Sequence, residues 1–125
     1  MNIRFLLIGL FASLQIAFAQ TRSVEFRVDL SGQTVSPNGI HIAGNFQQAA
    51  GYANNWDPSA TALSALGNNI YGLTVNIPDG NYEFKFINGN AWGADESIPG
   101  DCNVNGNRGI SINSDSLVEY CFNLC

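Results

Sequence analysis

"NIYGLTVNIPDGNYEFKFI", residues 69–87, reads as a β-hairpin. Tyr71, Leu73, Val75 and Ile77 alternate with smaller or polar residues, the period-2 pattern of a strand with one buried face. Pro78-Asp79-Gly80 then reverses the chain: proline presets φ and glycine accepts positive φ. After the turn, Tyr82, Phe84 and Phe86 share one face, while Glu83, Lys85 and Ile87 share the other. This second strand runs into Asn88-Gly89-Asn90-Ala91-Trp92, a polar loop that ends in a large apolar ring.

The same grammar extends in both directions. "VEFRVDL" (24–30) alternates, with Val24, Phe26, Val28 and Leu30 on one face. "SPNG" (36–39) is a turn, and "IHIAG" (40–44) is a short strand that stops at glycine. "RGISI" (108–112), "NSDS" (113–116) and "LVEYCF" (117–122) read as a second hairpin. "ATALSAL" (60–66) has at most the makings of a helical turn. The chain carries no internal repeat, low-complexity tract or charge run. The expected architecture is all-β: an antiparallel immunoglobulin-like β-sandwich of six to eight short strands.

The first residues belong to a different signal. "MNIRFLLIGLFASLQIAFAQ" has an early cation, an apolar run and Ala17-Phe18-Ala19, the pattern of a secretory signal peptide over residues 1–19. One domain, 20–125, is expected to follow it, and the protein to be secreted or displayed on the cell surface. No second apolar segment is long enough to span a bilayer. Without Arg4, four cations face ten acids, a net charge of −6. Such a surface repels phosphate backbones, which argues against nucleic acid as a partner but leaves neutral ligands such as sugars open.

Export permits disulfides, and the three cysteines are Cys102, Cys121 and Cys125. Cys102 is expected to bridge to Cys121 or Cys125. Cys102–Cys121 is favoured, because Cys121 lies inside a predicted strand and Cys125 at a chain end. A hairpin turning at 113–116 would instead bring Cys125 nearer the 102–105 loop. Nothing in the spacing of Cys and His suggests zinc, and no metal or other cofactor is expected. His41, between Ile40 and Ile42 and without a serine motif, reads as structural.

Two long connections, 45–60 and 88–107, hold both tryptophans, Trp56 and Trp92. Long ordered loops on a sandwich are where function concentrates. A pyranose needs a flat aromatic surface for its C–H face and polar groups for its hydroxyl edge. Trp92 fits the first need; Lys85, Asn88, Asn90 and Asn107 fit the second. Lys85 is the sole lysine and lies on the outward face of the strand that leads to Trp92. Asp95, Glu96 and Asp101 raise two other possibilities. Calcium lacks the EF-hand spacing, so a solvated acidic loop is favoured. A glycosidase acid–base pair needs a cleft that a small sandwich hardly offers, so no enzyme is expected.

The series "IHIAGNF…NNWDP", "NNIYGLTVNIPDGNYEFKFINGNAW" and "NVNGNRGISI" resembles the starch- and glycogen-binding modules of the early-set immunoglobulin-like group. These are carbohydrate-binding module families 20 and 48, including the module of AMP-activated protein kinase β subunits. The ending, with Glu96, Pro99, Cys102, Asn107, Arg108, Cys121, Phe122 and Cys125, is similar to that of a group of secreted bacterial surface proteins. The resemblance covers about residues 24–125. It implies a glucan platform of Trp56 and Trp92, with Lys85 and a late asparagine, Asn107 or Asn105, bonding sugar hydroxyls. The expectation is therefore a monomeric, secreted, noncatalytic polysaccharide-binding module, α-glucan being the preferred ligand. A larger secreted enzyme or surface complex is its expected context. The alternative is a structural or adhesive surface domain with the fold and no sugar site.

Overall fold

The computed structural model describes residues 8–10, 12–14 and 20–125. The other residues of the expected signal peptide, 1–7, 11 and 15–19, lie outside the described residues. Seven strands follow: β1 (Thr21–Asp29), β2 (Ile40–Gly44), β3 (Ala62–Gly67), β4 (Ile70–Pro78), β5 (Gly80–Asn88), β6 (Arg108–Ile112) and β7 (Ser116–Cys121). A single 3₁₀ turn, Gly100–Cys102, is the only helical element among the described residues. The fold is an immunoglobulin-like β-sandwich.

The strands are hydrogen-bonded in the order β6-β5-β2-β3-β4-β1-β7. β3 is the hinge between the two layers. Its first half pairs with β2 (Ile40↔Leu63, His41↔Ala62) and its second half with β4 (Ser64↔Gly72, Ala65↔Tyr71), with an irregularity between Ala65 and Gly67. The helical turn expected over 60–66 is thus a strand. Alanine's helix preference amounts to only tenths of a kcal/mol per residue, and two flanking ladders with Leu63 buried outweigh it.

β4 and β5 are the two strands expected from residues 69–87, but they do not pair as the expected hairpin: β4 is laddered to β1 and β3, β5 to β2 and β6, so the Pro78-Asp79-Gly80 connection crosses between the layers. The second expected hairpin does not form either. β6 pairs with β5, from Gly80↔Ile112 to Phe84↔Arg108, whereas β7 pairs with β1 in parallel, from Val24↔Ser116 to Asp29↔Cys121. Residues 113–115 therefore carry the chain from one layer to the other. Turn residues specify a reversal but not whether the strands they join share a ladder. The parallel β1–β7 pair is the one departure from antiparallel pairing among the strands.

Between the layers, Val24, Phe26 and Val28 of β1 meet Ile40 and Ile42 of β2 and Phe84 and Phe86 of β5, all essentially inaccessible to solvent. Phe26 packs on Phe46 and Phe84 with ring centroids 5.3 and 5.0 Å away. Each such ring contributes about 2–3 kcal/mol by burial. β2 lies so close to β5 that a side chain on Gly44 would meet Phe84 Cβ at 2.7 Å, which explains why the strand ends in glycine. The core thus fixes β5 on its inward residues and leaves Glu83 and Lys85 on the outer face.

The C-terminal end is held by a buried ion pair. Arg108 Nε and Nη2 donate to the two Glu96 carboxylate oxygens at 2.8 and 2.6 Å. The guanidinium also donates to the Cys121 and Leu124 carbonyls at 2.9 and 3.0 Å and stacks over Tyr120, 4.6 Å from the ring centroid. Glu96 in turn accepts from the Phe86 amide at 3.1 Å. Among the described residues every buried charge has its partners, as burial of charge demands.

The disulfide joins Cys102 to Cys125, with Cα atoms 5.7 Å apart, and corrects the favoured Cys102–Cys121 pairing. Cys121 is the last residue of β7, and its side chain alternates outward with Leu117 and Glu119 into solvent. After it Phe122 buries, Asn123 takes a left-handed backbone (φ 64°), and Cys125 is returned to the 3₁₀ turn.

Candidate functional site

The loop after β2 is shaped by one buried amide. Gln47 Nε2 donates to the Asp57 carbonyl (2.8 Å) and to Thr61 Oγ1 (2.7 Å). Its Oε1 accepts from the Asp57 amide (2.9 Å) and the Gly44 amide (3.3 Å). Both ends of the loop are therefore tied to a fully buried side chain. Residues 47–55 close on themselves, with the Tyr52 amide donating to the Gln47 carbonyl at 2.9 Å and the Gln48 amide to Asn55 Oδ1 at 2.8 Å. Trp56 donates its amide to the Gly44 carbonyl at 3.2 Å and adopts φ 57°, a left-handed conformation costly for so bulky a residue. Gln47 has no sequence signature as an organiser; a glutamine in a polar loop reads as solvated.

The loop after β5 is anchored at four points. The Asn88 amide donates to the Ala94 carbonyl at 2.9 Å, and His41 Nδ1 donates to the Gly89 carbonyl at 2.7 Å. Asn88 Oδ1 accepts from the Ser36 amide, and its Nδ2 donates to the Thr34 carbonyl. Asn88, one of the candidate polar groups, is thus committed to the 34–36 segment. Lys85 Nζ donates to Asp95 Oδ2 at 3.0 Å, while Asp95 Oδ1 accepts from the Gly93 amide at 3.0 Å. Burial works against the Asp95 charge, but the Lys85 ammonium and the Gly93 amide outweigh it and hold its carboxyl below the usual carboxylate range. The lysine expected to bond a ligand is therefore a strut under the Trp92 loop.

These two loops bring the tryptophans together. The Trp56 and Trp92 ring centroids lie 6.4 Å apart, with planes inclined at 42°. Trp92 is 47% exposed, and Trp56 is half-buried. The pair forms an angled apolar surface rather than a flat one. Asn90 is exposed in the Trp92 loop. Further along the outer face of β5, Asn105 and Asn107 each donate Nδ2 to Glu83 Oε1 at 3.3 Å. Asn105 sits at φ 55° in a tight turn closed by reciprocal bonds between Val104 and Asn107. Both candidates for the late asparagine thus bond the same carboxylate, and Glu83 is a site residue that the sequence did not single out. The other acids diverge: Asp95 serves Lys85, and Glu96 serves Arg108.

Comparison with known proteins gives this arrangement a context. An amylopullulanase from Thermoanaerobacter thermohydrosulfuricus is 37% identical over 65 residues, half of this chain and 4% of that protein. One from Thermoanaerobacterium saccharolyticum is 30% identical over 84 residues, 65% of this chain and 6% of that protein. The chain thus spans only about a twentieth of the length of these relatives. Among solved structures, the glycoside hydrolase family 15 glucoamylase from Hypocrea jecorina superposes with a TM-score of 0.59 at 22% identity. That match covers 90% of this chain and 19% of the glucoamylase chain, and it is a likeness of fold. The sequence profile of the pullulanase X25 domain matches residues 39–119, from β2 into β7 and across both tryptophan loops, and the chain belongs to that family.

Proposed function

We propose that the chain is a noncatalytic polysaccharide-binding module for α-glucan, exported and acting beside a starch-degrading enzyme or within a surface complex. The observation that carries this reading is the convergence of Trp56 and Trp92, from loops far apart in sequence, on one partly exposed surface. A sugar's C–H face stacks on such rings, and Asn90 is free in the same loop to meet hydroxyls. The 42° inclination suits a chain whose successive rings turn, as in an α-1,4-glucan, better than the flat ribbon of a β-1,4-glucan. The left-handed backbone at Trp56 supports the same view: strain of about 1–3 kcal/mol persists where the surroundings impose a conformation, often at binding sites.

Residue roles follow from the contacts. Trp56 and Trp92 stack the ligand; Lys85 positions the Trp92 loop through Asp95; Asn107 holds Glu83 and offers its remaining valences to hydroxyls. The resemblance to the starch- and glycogen-binding module families agrees with these roles. So do the relatives, which carry the name amylopullulanase. Catalysis is not part of the proposal, because Asp95 and Glu96 are each engaged by a cation and do not face one another across a cleft.

Affinity electrophoresis of the purified protein through gels of amylopectin, glycogen or a β-glucan tests the proposal. Retardation by the α-glucans alone is the expected result. Unretarded migration in every gel would favour the alternative, a structural or adhesive domain in which Trp92 is only a loop anchor.

A further inference from the structure

The outer face of β5 and β6 continues beyond the tryptophan loops into a second concavity. We propose that this groove is an additional sugar subsite, which takes further units of a neutral glucan already stacked on Trp56 and Trp92. The inference rests on the glucan-binding reading above.

The groove encloses about 340 Å³, within the range of small-ligand pockets. Asn81 and Glu83 of β5, Gly109 and Ser111 of β6, and Val104 line it. Register explains the shape. Glu83 faces Gly109 across the ladder, and Asn81 faces Ser111. Gly109 leaves the floor bare. A side chain there would meet Val104 Cγ2 at 2.9 Å, so Val104 leans over the floor as a wall. That wall is apolar and 49% exposed.

Each surface has a match on a pyranose. The Val104 isopropyl group can lie against a C–H face. Glu83 Oε1 takes the two asparagine amides, while Oε2 has no protein donor among the described residues and can accept sugar hydroxyls. Asn81 and Ser111, bonded to each other, hold further donors and acceptors at the far end. The free carboxylate and the net charge of −6 on residues 20–125 disfavour uronates and phosphorylated sugars.

Continuity with the tryptophans runs along one strand. Lys85, Glu83 and Asn81 share the outer face of β5 at steps of roughly 7 Å. The first of them holds the Trp92 loop through Asp95, and the last two line the groove. A glucan leaving Trp92 along β5 would enter the concavity within one or two such steps.

Isothermal titration of the purified protein with maltotriose and with maltoheptaose tests this. The expected result is roughly tenfold tighter binding of the longer sugar, one decade in Kd. Ser111→Tyr, at an exposed strand position that tolerates an aromatic residue, fills the groove. It should erase most of that preference while leaving maltotriose affinity unchanged; Trp92→Ala should weaken both sugars. Asn81→Ala, measured alongside, should reduce the preference even if the tyrosine variant folds poorly. Equal affinity for the two sugars, or a preference unchanged in both groove variants, overturns the subsite and leaves the tryptophan site standing. Binding of neither sugar removes both.

Discussion

Replacing Trp92 with alanine removes the exposed half of the tryptophan surface. A tryptophan presents roughly 250 Å². With 47% of it exposed, the ring offers a ligand about 120 Å². If a stacked sugar covers two thirds of that area, the contribution is about 2 kcal/mol at about 25 cal/mol per Å². Kd for maltoheptaose should therefore rise roughly thirtyfold in Trp92→Ala, read by titration calorimetry. Trp92 is not part of the core, so the urea midpoint should move by less than about 1 kcal/mol equivalent. Unchanged sugar affinity in a variant of unchanged stability would refute the reasoning, because an exposed platform cannot be removed without loss if ligand rests on it.

Gln47→Ala strips four hydrogen bonds from the loop that carries Trp56 and should cost about 2–3 kcal/mol, a melting temperature lower by roughly 10 °C or more by calorimetry. Glu96→Gln leaves the Arg108 charge buried without its counter-ion and should lower stability by about 3–5 kcal/mol in urea titrations. Asp95→Asn should matter only where the carboxylate is charged. The native carboxyl titrates below its unfolded value near 4, so its contribution is fully present above about pH 4 and is lost as pH falls through the native value. The difference from wild type should be about 1 kcal/mol at pH 6 and shrink towards zero as the pH falls below about 4 and through the native value. Cys125→Ser should cost about 3 kcal/mol by reopening the Cys102 loop, whereas Cys121→Ser should change stability by less than about 0.5 kcal/mol; guanidinium titrations of both separate them.

The two strands flanking Pro78-Asp79-Gly80 were legible because alternation runs over the whole length of each; that they part into different layers instead of pairing was not. The location of Trp56, Trp92 and Lys85 in or beside long loops was legible for the same reason, since the strands on either side were clear. What the sequence did not disclose is tertiary in origin. β3 carries weak alanine-rich alternation and becomes a strand because β2 and β4 flank it. The 113–115 turn reads the same whether its strands pair or part. Lys85 looked like a free cation because its partner, Asp95, lies across a loop closure that pattern alone does not reveal. Gln47 and Glu83 organise the site through bonds to residues up to 24 positions away, and no local motif encodes such bonds. The Cys102 partner depended on the direction of one strand residue and the path of the four residues after it.

The Cys102–Cys125 bond makes residues 102–125 a closed covalent ring that contains β6 and β7. A pull on Cys125 is shared between the short route through the sulfurs to Cys102 and the long route through β7. The two edge strands are thus relieved of part of any load on this end. A single cut in the exposed 113–115 turn opens the ring but leaves both pieces bonded, with β6 still laddered to β5 and β7 to β1. The ring turns what would be a severed edge into a nick.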